Sequence, residues 1–263
     1  MSDEMNHFSM GLWLLGLAFA VAVSGSVIGL ECARHGMAAR HPAARMRWFL
    51  MGALSIGGVG IWLMHFVAML GFALPGSPLR YSLTWTIISA LIAVIAVFAA
   101  LYMLGNEFSW SRLLASGSLV GMGITVMHYT GMQAVQFQGQ INYNTLLIAL
   151  SLVIAVVGAT AALWFMTVMG STTLRLIAGP IMGIAVVGMH YTGMAAVEIV
   201  RDTSAPAPVG LALFPFIFPV FVLGLLALAV PIVAIMTVRD REIARMDATS
   251  DDLADEAREF ADQ

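Results

Sequence analysis

The amino-acid sequence predicts an all-α membrane protein, with seven transmembrane helices built from three two-helix repeats plus one additional helix. Three observations carry this. The 263 residues are 60% hydrophobic and only 10% charged, with a mean hydropathy of +0.91. A soluble domain carries about 25% charged residues, and this chain has too few to cover a wetted surface. Seven uncharged stretches each reach the roughly 20 apolar residues that span a bilayer, and a short motif recurs on alternate stretches.

The stretches are Gly11–Leu30, Trp48–Leu70, Leu83–Leu104, Leu113–Ala134, Leu146–Met169, Leu176–Val197 and Leu211–Val238. The first is flanked by Asp3 and Glu4 with no arginine before it. It therefore lacks the positive flank of a signal peptide and reads as a true span. The last contains Pro215, Pro219 and Pro231, which predict a kink or an interfacial start. Residues 1–9 are expected to form an external segment, 10–238 the membrane domain and 239–263 an acidic tail.

Arginine placement orients the chain. Arg34, Arg40, Arg45, Arg47, Arg112, Arg175, Arg239, Arg241, Arg245 and Arg258 fall on one side, Arg80 and Arg201 on the other. Ten against two is a strong positive-inside bias. It predicts an outside N-terminus, a cytoplasmic C-terminus and a multi-pass protein of the bacterial inner membrane. Glu31 and Arg34, at the inner end of the first span, are expected to pair at the interface. All twelve basic residues are arginine. Without lysine there is no retinal or pyridoxal Schiff base and no Walker A phosphate site. The single cysteine, Cys32, excludes an internal disulfide framework and reads as an inert small residue. The net charge of −3 gives no basic field for nucleic acid.

The repeat carries the chemistry. Met127-His128-Tyr129-Thr130-Gly131-Met132 recurs as Met189-His190-Tyr191-Thr192-Gly193-Met194, with a looser copy at Met64-His65-Phe66-Val67-Ala68-Met69. The histidines are 63 and 62 residues apart. The preceding spans repeat too: Ser89–Tyr102 resembles Ser151–Trp164. The repeats run at about 10–70, 83–134 and 146–197, with a seventh span at 211–238. Two spans per copy give every copy the same orientation, so the copies are related by an axis along the membrane normal, in a pseudo-threefold ring or an open row. Each histidine then sits at one depth, roughly 8–10 Å inside the outer boundary.

At about 100° per residue, Met69, Met132 and Met194 share the face of His65, His128 and His190, as do Gly58, Gly121 and Gly183, seven residues earlier. Met64, Met127 and Met189 point about 100° away. Histidine in hydrocarbon normally faces a bundle interior or cavity. Imidazole is a common metal ligand, and soft thioethers favour Cu(I) over hard ions. A His/Met set without carboxylates argues against magnesium, calcium and manganese. Zinc remains open through imidazole alone, paired histidines leave haem as a lesser option, and packing alone is the bland alternative. Tyr129 and Tyr191 read as interfacial anchors. Gly131 and Gly193, matched by Ala68, read as close-packing positions. Glu198 is expected at the surface, with ligand support or proton transfer as the alternative.

The Met-His-Tyr-Thr motif, intact at 127–130 and 189–192 and present as Met-His-Phe-Val at 64–67, resembles the signature of the MHYT domain family. The resemblance covers roughly residues 10–200 and extends to the seventh span. It implies a bacterial integral-membrane sensory domain proposed to bind copper and to sense O₂, CO or NO. By position, the implied copper ligands are His65, His128 and His190 with Met64, Met69, Met127, Met132, Met189 and Met194. The first copy lacks Tyr, Thr and Gly, which breaks strict threefold equivalence. Many relatives carry a cyclic-di-GMP or kinase output domain. Here 25 residues follow Val238, with four Arg against nine Asp/Glu, too few for an output enzyme. They predict a solvated helix or disordered tail and signalling through a separate cytoplasmic protein. The competing classes are a copper-dependent oxidase or oxygenase and a copper transport or buffering protein. Against transport, the inner halves of the His-bearing spans lack polar relay groups beyond serines such as Ser55, Ser116 and Ser118.

Overall fold

The computed structural model describes residues 10–74, 77–105, 107–168, 172–202 and 204–261, with backbone alone at 172–176, 242, 245, 247 and 250–261. The expected external segment 1–9, with Asp3 and Glu4, lies outside the described residues.

Among the described residues there are seven long helices: α1 Trp13–Ala38, α2 Pro42–Met69, α3 Leu83–Leu104, α4 Trp110–Gln133, α5 Thr145–Val168, α6 Thr172–Ala195 and α7 Leu213–Ala261. Six are long and apolar enough to cross a membrane; α4 is not among them. Its serines, glycines, Arg112, Thr125 and His128 dilute its hydropathy. The first two helices are longer than the uncharged stretches that mark them. α1 runs on to Ala38 and α2 starts at Pro42, so Arg34, Arg45 and Arg47 sit on helix ends and not in a loop. The break falls at 39–41 because a residue before proline avoids the helical region, while proline suits a first helical position.

Burial sorts the helices. The apolar window of α2 is 72% buried and that of α6 61%, against 28–39% for α1, α3, α5 and α7. The histidine-bearing helices therefore lie inside and the others around them. Glycines set the approach. A Cβ built on Gly121 would lie 2.5 Å from Val156 Cα, and one on Gly183 2.7 Å from Val23 Cγ2. Thus α4 packs on α5, and α6 packs back on α1, which closes the ring. A Cβ on Gly58 would meet only Val94 Cγ2, at 3.8 Å. This looser contact has a cause invisible to a 3.6-residue count: Leu54–Leu63 of α2 is π-helical. The wider turn rotates Gly58 off the face that seven α-helical residues would share with His65. The same segment presses Gly60 against α1, where a Cβ on Gly25 would lie 2.4 Å from the Gly60 nitrogen.

The three prolines do not interrupt α7. Pro215 lies in the first turn, where its missing N–H has no helical acceptor, and Pro219 and Pro231 lie inside a continuous helix of 49 residues. That is about 70 Å at 1.5 Å per residue. The acidic tail is therefore helix as far as Ala261.

At the end of the bundle where α2, α4 and α6 terminate, the loops pair as short ribbons that helix periodicity does not foresee. β1 Arg80–Tyr81 pairs antiparallel with β2 Val135–Gln136, and β3 Gly139–Tyr143 with β4 Val197–Arg201. Tyr81 also exchanges both backbone hydrogen bonds with Leu211, at 2.9 and 3.0 Å. Val197 thus opens a strand and does not end a helix; its segment alternates in and out with period two. Gly139, at φ +150°, allows this crossing, since a Cβ there would lie 2.3 Å from the Val200 carbonyl oxygen. Burial pushes the Tyr81 phenol up to about 12.

Candidate metal centre

Each histidine sits in the last turns of an inner helix: His65 four residues before the end of α2, His128 and His190 five residues before the ends of α4 and α6. The helices finish in tightened turns, for example Ala134 N–H to the Gly131 carbonyl at 3.0 Å. These hand the chain directly to the ribbons, so the histidines lie just beneath the ribbon layer. All three are buried, at 0%, 1% and 2% exposure.

The imidazoles converge. Nδ1 of His65 lies 3.1 Å from Nδ1 of His190 and 3.2 Å from Nδ1 of His128. The rings stand nearly perpendicular, at 81–88°, with centroids 5.0–5.1 Å apart. Among the described residues, the cluster that could hold a metal ion is these three histidines, with no carboxylate or thiolate.

A neutral imidazole offers one N–H and one lone pair. His65 Nδ1 faces both of the others, yet it has either one lone pair or one hydrogen to share between them. One central cation satisfies all three. Tetrahedral bonds of 2.0–2.1 Å to nitrogen would separate the donors by about 3.3 Å, close to the observed 3.1 and 3.2 Å. Ligation through Nδ1 puts the remaining proton on Nε2. For His65 and His128 that atom is buried without a hydrogen-bond partner. The residues present could hold a metal ion among neutral donors.

Glycine seats the rings. A Cβ on Gly131 would lie 2.7 Å from His65 Nε2, and one on Gly193 2.6 Å from His128 Nε2. The glycine of each intact motif thus backs the histidine of the preceding copy. Sequence reasoning reads these glycines as generic packing positions; their partner is specific, and only the ring arrangement shows it. All six motif methionines, Met64, Met69, Met127, Met132, Met189 and Met194, are at most 2% exposed and belong to the same core cluster.

The flanking aromatics tie each copy to the next. Tyr129 OH lies 3.1 Å from Ser151 Oγ on α5, and Trp62 Nε1 donates to Ser89 Oγ on α3 at 3.1 Å. Ser89 and Ser151 are equivalent in the repeat, a signal already present in their 62-residue spacing. Tyr129 is therefore an interhelix link and not merely an interfacial anchor. Phe66, which replaces tyrosine in the first copy, packs edge-on against Phe216 of α7 at 5.1 Å, and Phe216 stacks on Tyr81 at 4.7 Å. Phe66 also meets the His65 ring at 4.9 Å. The departure from tyrosine thus occurs where the neighbour is an aromatic of the seventh helix. Burial, with Tyr129 adding to it, pushes the Tyr143 phenol up to about 12.

The remaining candidates separate cleanly. Glu198 is exposed and faces Asn142 across the β3–β4 ribbon, so it stands at the surface. Arg34 Nε donates to Glu31 Oε2 at 3.1 Å, and its Nη2 pairs with Oε1, as the interfacial reading expects. Cys32 is buried and free.

Comparison with known proteins accords with this geometry. The family described as "Bacterial signalling protein N terminal repeat" (MHYT) matches residues 58–117, 121–179 and 183–248. The matched units begin at Gly58, Gly121 and Gly183, so each joins a histidine helix to the helix after it. This is the pairing that the Trp62–Ser89 and Tyr129–Ser151 bonds make. The phasing differs from the hairpin repeats drawn from the spans: α7 falls in the third unit and α1 precedes the first. The chain is 42% identical over 191 residues to the bifunctional diguanylate cyclase/cyclic di-GMP phosphodiesterase MucR of Pseudomonas aeruginosa, covering 70% of this chain and 27% of that protein. It is 37% identical over 201 residues to the cyclic di-GMP phosphodiesterase NbdA of the same organism, covering 73% of this chain and 25% of that protein. It is 29% identical over 208 residues to the signaling protein YkoW of Bacillus subtilis, covering 76% and 26%. The chain thus spans about a quarter of the length of these curated relatives. No solved structure matches. Three matched repeats across most of the chain place it in the MHYT family of bacterial signalling proteins, as a multi-pass protein of the bacterial inner membrane.

Proposed function

We propose that this domain is a sensor that holds one Cu(I) ion between His65, His128 and His190 near the outer face of the membrane and responds to O₂, CO or NO. The observation that carries the reading is the meeting of three buried Nδ1 atoms, at 3.1 and 3.2 Å, in a cluster without carboxylates. A monovalent ion is the least costly to place among neutral donors inside hydrocarbon. The motif methionines supply soft sulfur around it. Bound there, low-coordinate Cu(I) supplies an open position for a diatomic ligand.

The protein's part is to keep the imidazoles neutral, oriented and dry. Gly131 and Gly193 leave room for the rings of His65 and His128, and the ribbons exclude bulk water. Displacement of the imidazoles moves the ends of α2, α4 and α6. The Phe66–Phe216 contact passes that movement to α7, and a separate cytoplasmic signalling protein reads it. The arginine distribution supports an outside N-terminus and a cytoplasmic α7 end. The activities for which two relatives are named, making and degrading cyclic di-GMP, support turnover of that messenger as the regulated output.

Metal analysis of detergent-purified protein under reducing conditions tests the reading. Wild type is expected to retain stoichiometric copper and the His65/His128/His190 triple alanine variant to lose it. Equal, near-zero copper in both would end the proposal.

A further inference from the structure

A buried ion needs a route from water, and the histidines, at 0–2% exposure, offer none directly. A cavity of about 300 Å³ opens where α4 passes through β2 into β3. Its wall includes Gln133, Gln136, Phe137 and Gln140, and it reaches Met132. Met132 is itself fully buried. It lies four residues beyond His128, on the same helix face and about 6 Å further along the axis. Polar amides at the rim thus lead to a buried methionine one helical turn from His128.

We infer that this cavity is the port through which Cu(I) enters and leaves the triad; the inference rests on the copper reading above. The chemistry is graded. Amide oxygens are hard, weak partners that hold a hydrated ion without trapping it. Sulfur is soft and strips the last water from Cu(I). Three neutral nitrogens then take the ion over. Gln136 Nε2 is tied to the Gln133 carbonyl at 2.9 Å, which leaves its amide oxygen as the group available to an ion. Gly139 holds the crossing of β3 over β4 that shapes the cavity. A diatomic gas dissolves in lipid and needs no polar entrance, so a polar mouth on this end of the bundle suits an ion.

The test separates rate from endpoint. Purified protein is loaded with buffered Cu(I) under reductant and stripped with a water-soluble Cu(I) chelator, for wild type, Gln133→Trp and Gln140→Trp. Both variants fill the cavity and leave every histidine and methionine in place. Loading and stripping are expected to slow about tenfold in both variants, with the final copper content unchanged. Unchanged rates in either would overturn the port. A wild-type protein that takes up no Cu(I) would remove the copper reading itself, an outcome distinct from that one.

Discussion

At the scale of single residues, the site depends on what is missing from two side chains. Gly131→Ala or Gly193→Ala would set a methyl carbon 2.7 or 2.6 Å from an imidazole Nε2, closer than atoms in contact can stand. The ring must swing away from the centre. We expect copper affinity to fall by 10- to 100-fold, roughly the scale of losing a group that orients a ligand, with a stability loss of about 1–3 kcal/mol. Competition with a Cu(I) chelator checks the first, thermal unfolding in detergent the second; wild-type affinity in both variants would contradict the seating role. The Tyr129–Ser151 bond offers a milder test. Tyr129→Phe and Ser151→Ala should each cost roughly 0.6 kcal/mol, the usual size of an interhelical hydrogen bond in a membrane protein. The double variant should cost no more than either alone.

At the scale of elements, helix contacts are set by glycine and by one aromatic pair. Gly25 of α1 faces the π-helical segment of α2 so closely that a Cβ would meet the Gly60 backbone nitrogen at 2.4 Å. Gly25→Leu should therefore force α1 off α2 and abolish folding into the membrane, whereas Gly16→Leu, where a Cβ has open space, should be silent; yields after detergent extraction distinguish them. α7 docks through Phe216, which touches both Phe66 and Tyr81. Phe216→Ala removes a ring that is 2% exposed and should cost about 3–5 kcal/mol. It should also loosen α7 without removing copper, because Phe216 reaches the His65 ring through Phe66. Metal content retained alongside faster proteolysis near Arg239 is the expected pair of results.

At the scale of the molecule, three inner helices carry the histidines, three outer helices shield them, and α7 leaves the bundle as a long rod. Orientation is the first thing to establish. Cysteine placed at Val209, 84% exposed at the ribbon end, should react with an impermeant thiol reagent added to intact spheroplasts. One placed at Met246, 62% exposed on α7, should react only after permeabilisation. Native Cys32 is buried and will not interfere. The reverse pattern would invert the topology read from the arginines.

The sequence by itself determined the membrane class, the place of the seven apolar stretches though not how far α1, α2 and α7 run beyond them, the histidine motif and its threefold recurrence. These are properties of composition and period, and hydrophobicity acts locally. It also marked the first copy as different, through Phe66 and Ala68. Only the tertiary structure decided that the copies close into a ring, that the Nδ1 atoms meet, and that Gly131 and Gly193 back histidines from neighbouring copies. It alone placed the π-helical turn in α2, the ribbons over the site and the aromatic contact to α7. Those depend on contacts between residues far apart in the chain, from 35 positions for Gly25 and Gly60 upward, and on the space between helices. A one-dimensional pattern fixes which face of a helix is apolar or polar, but not which neighbour that face will meet.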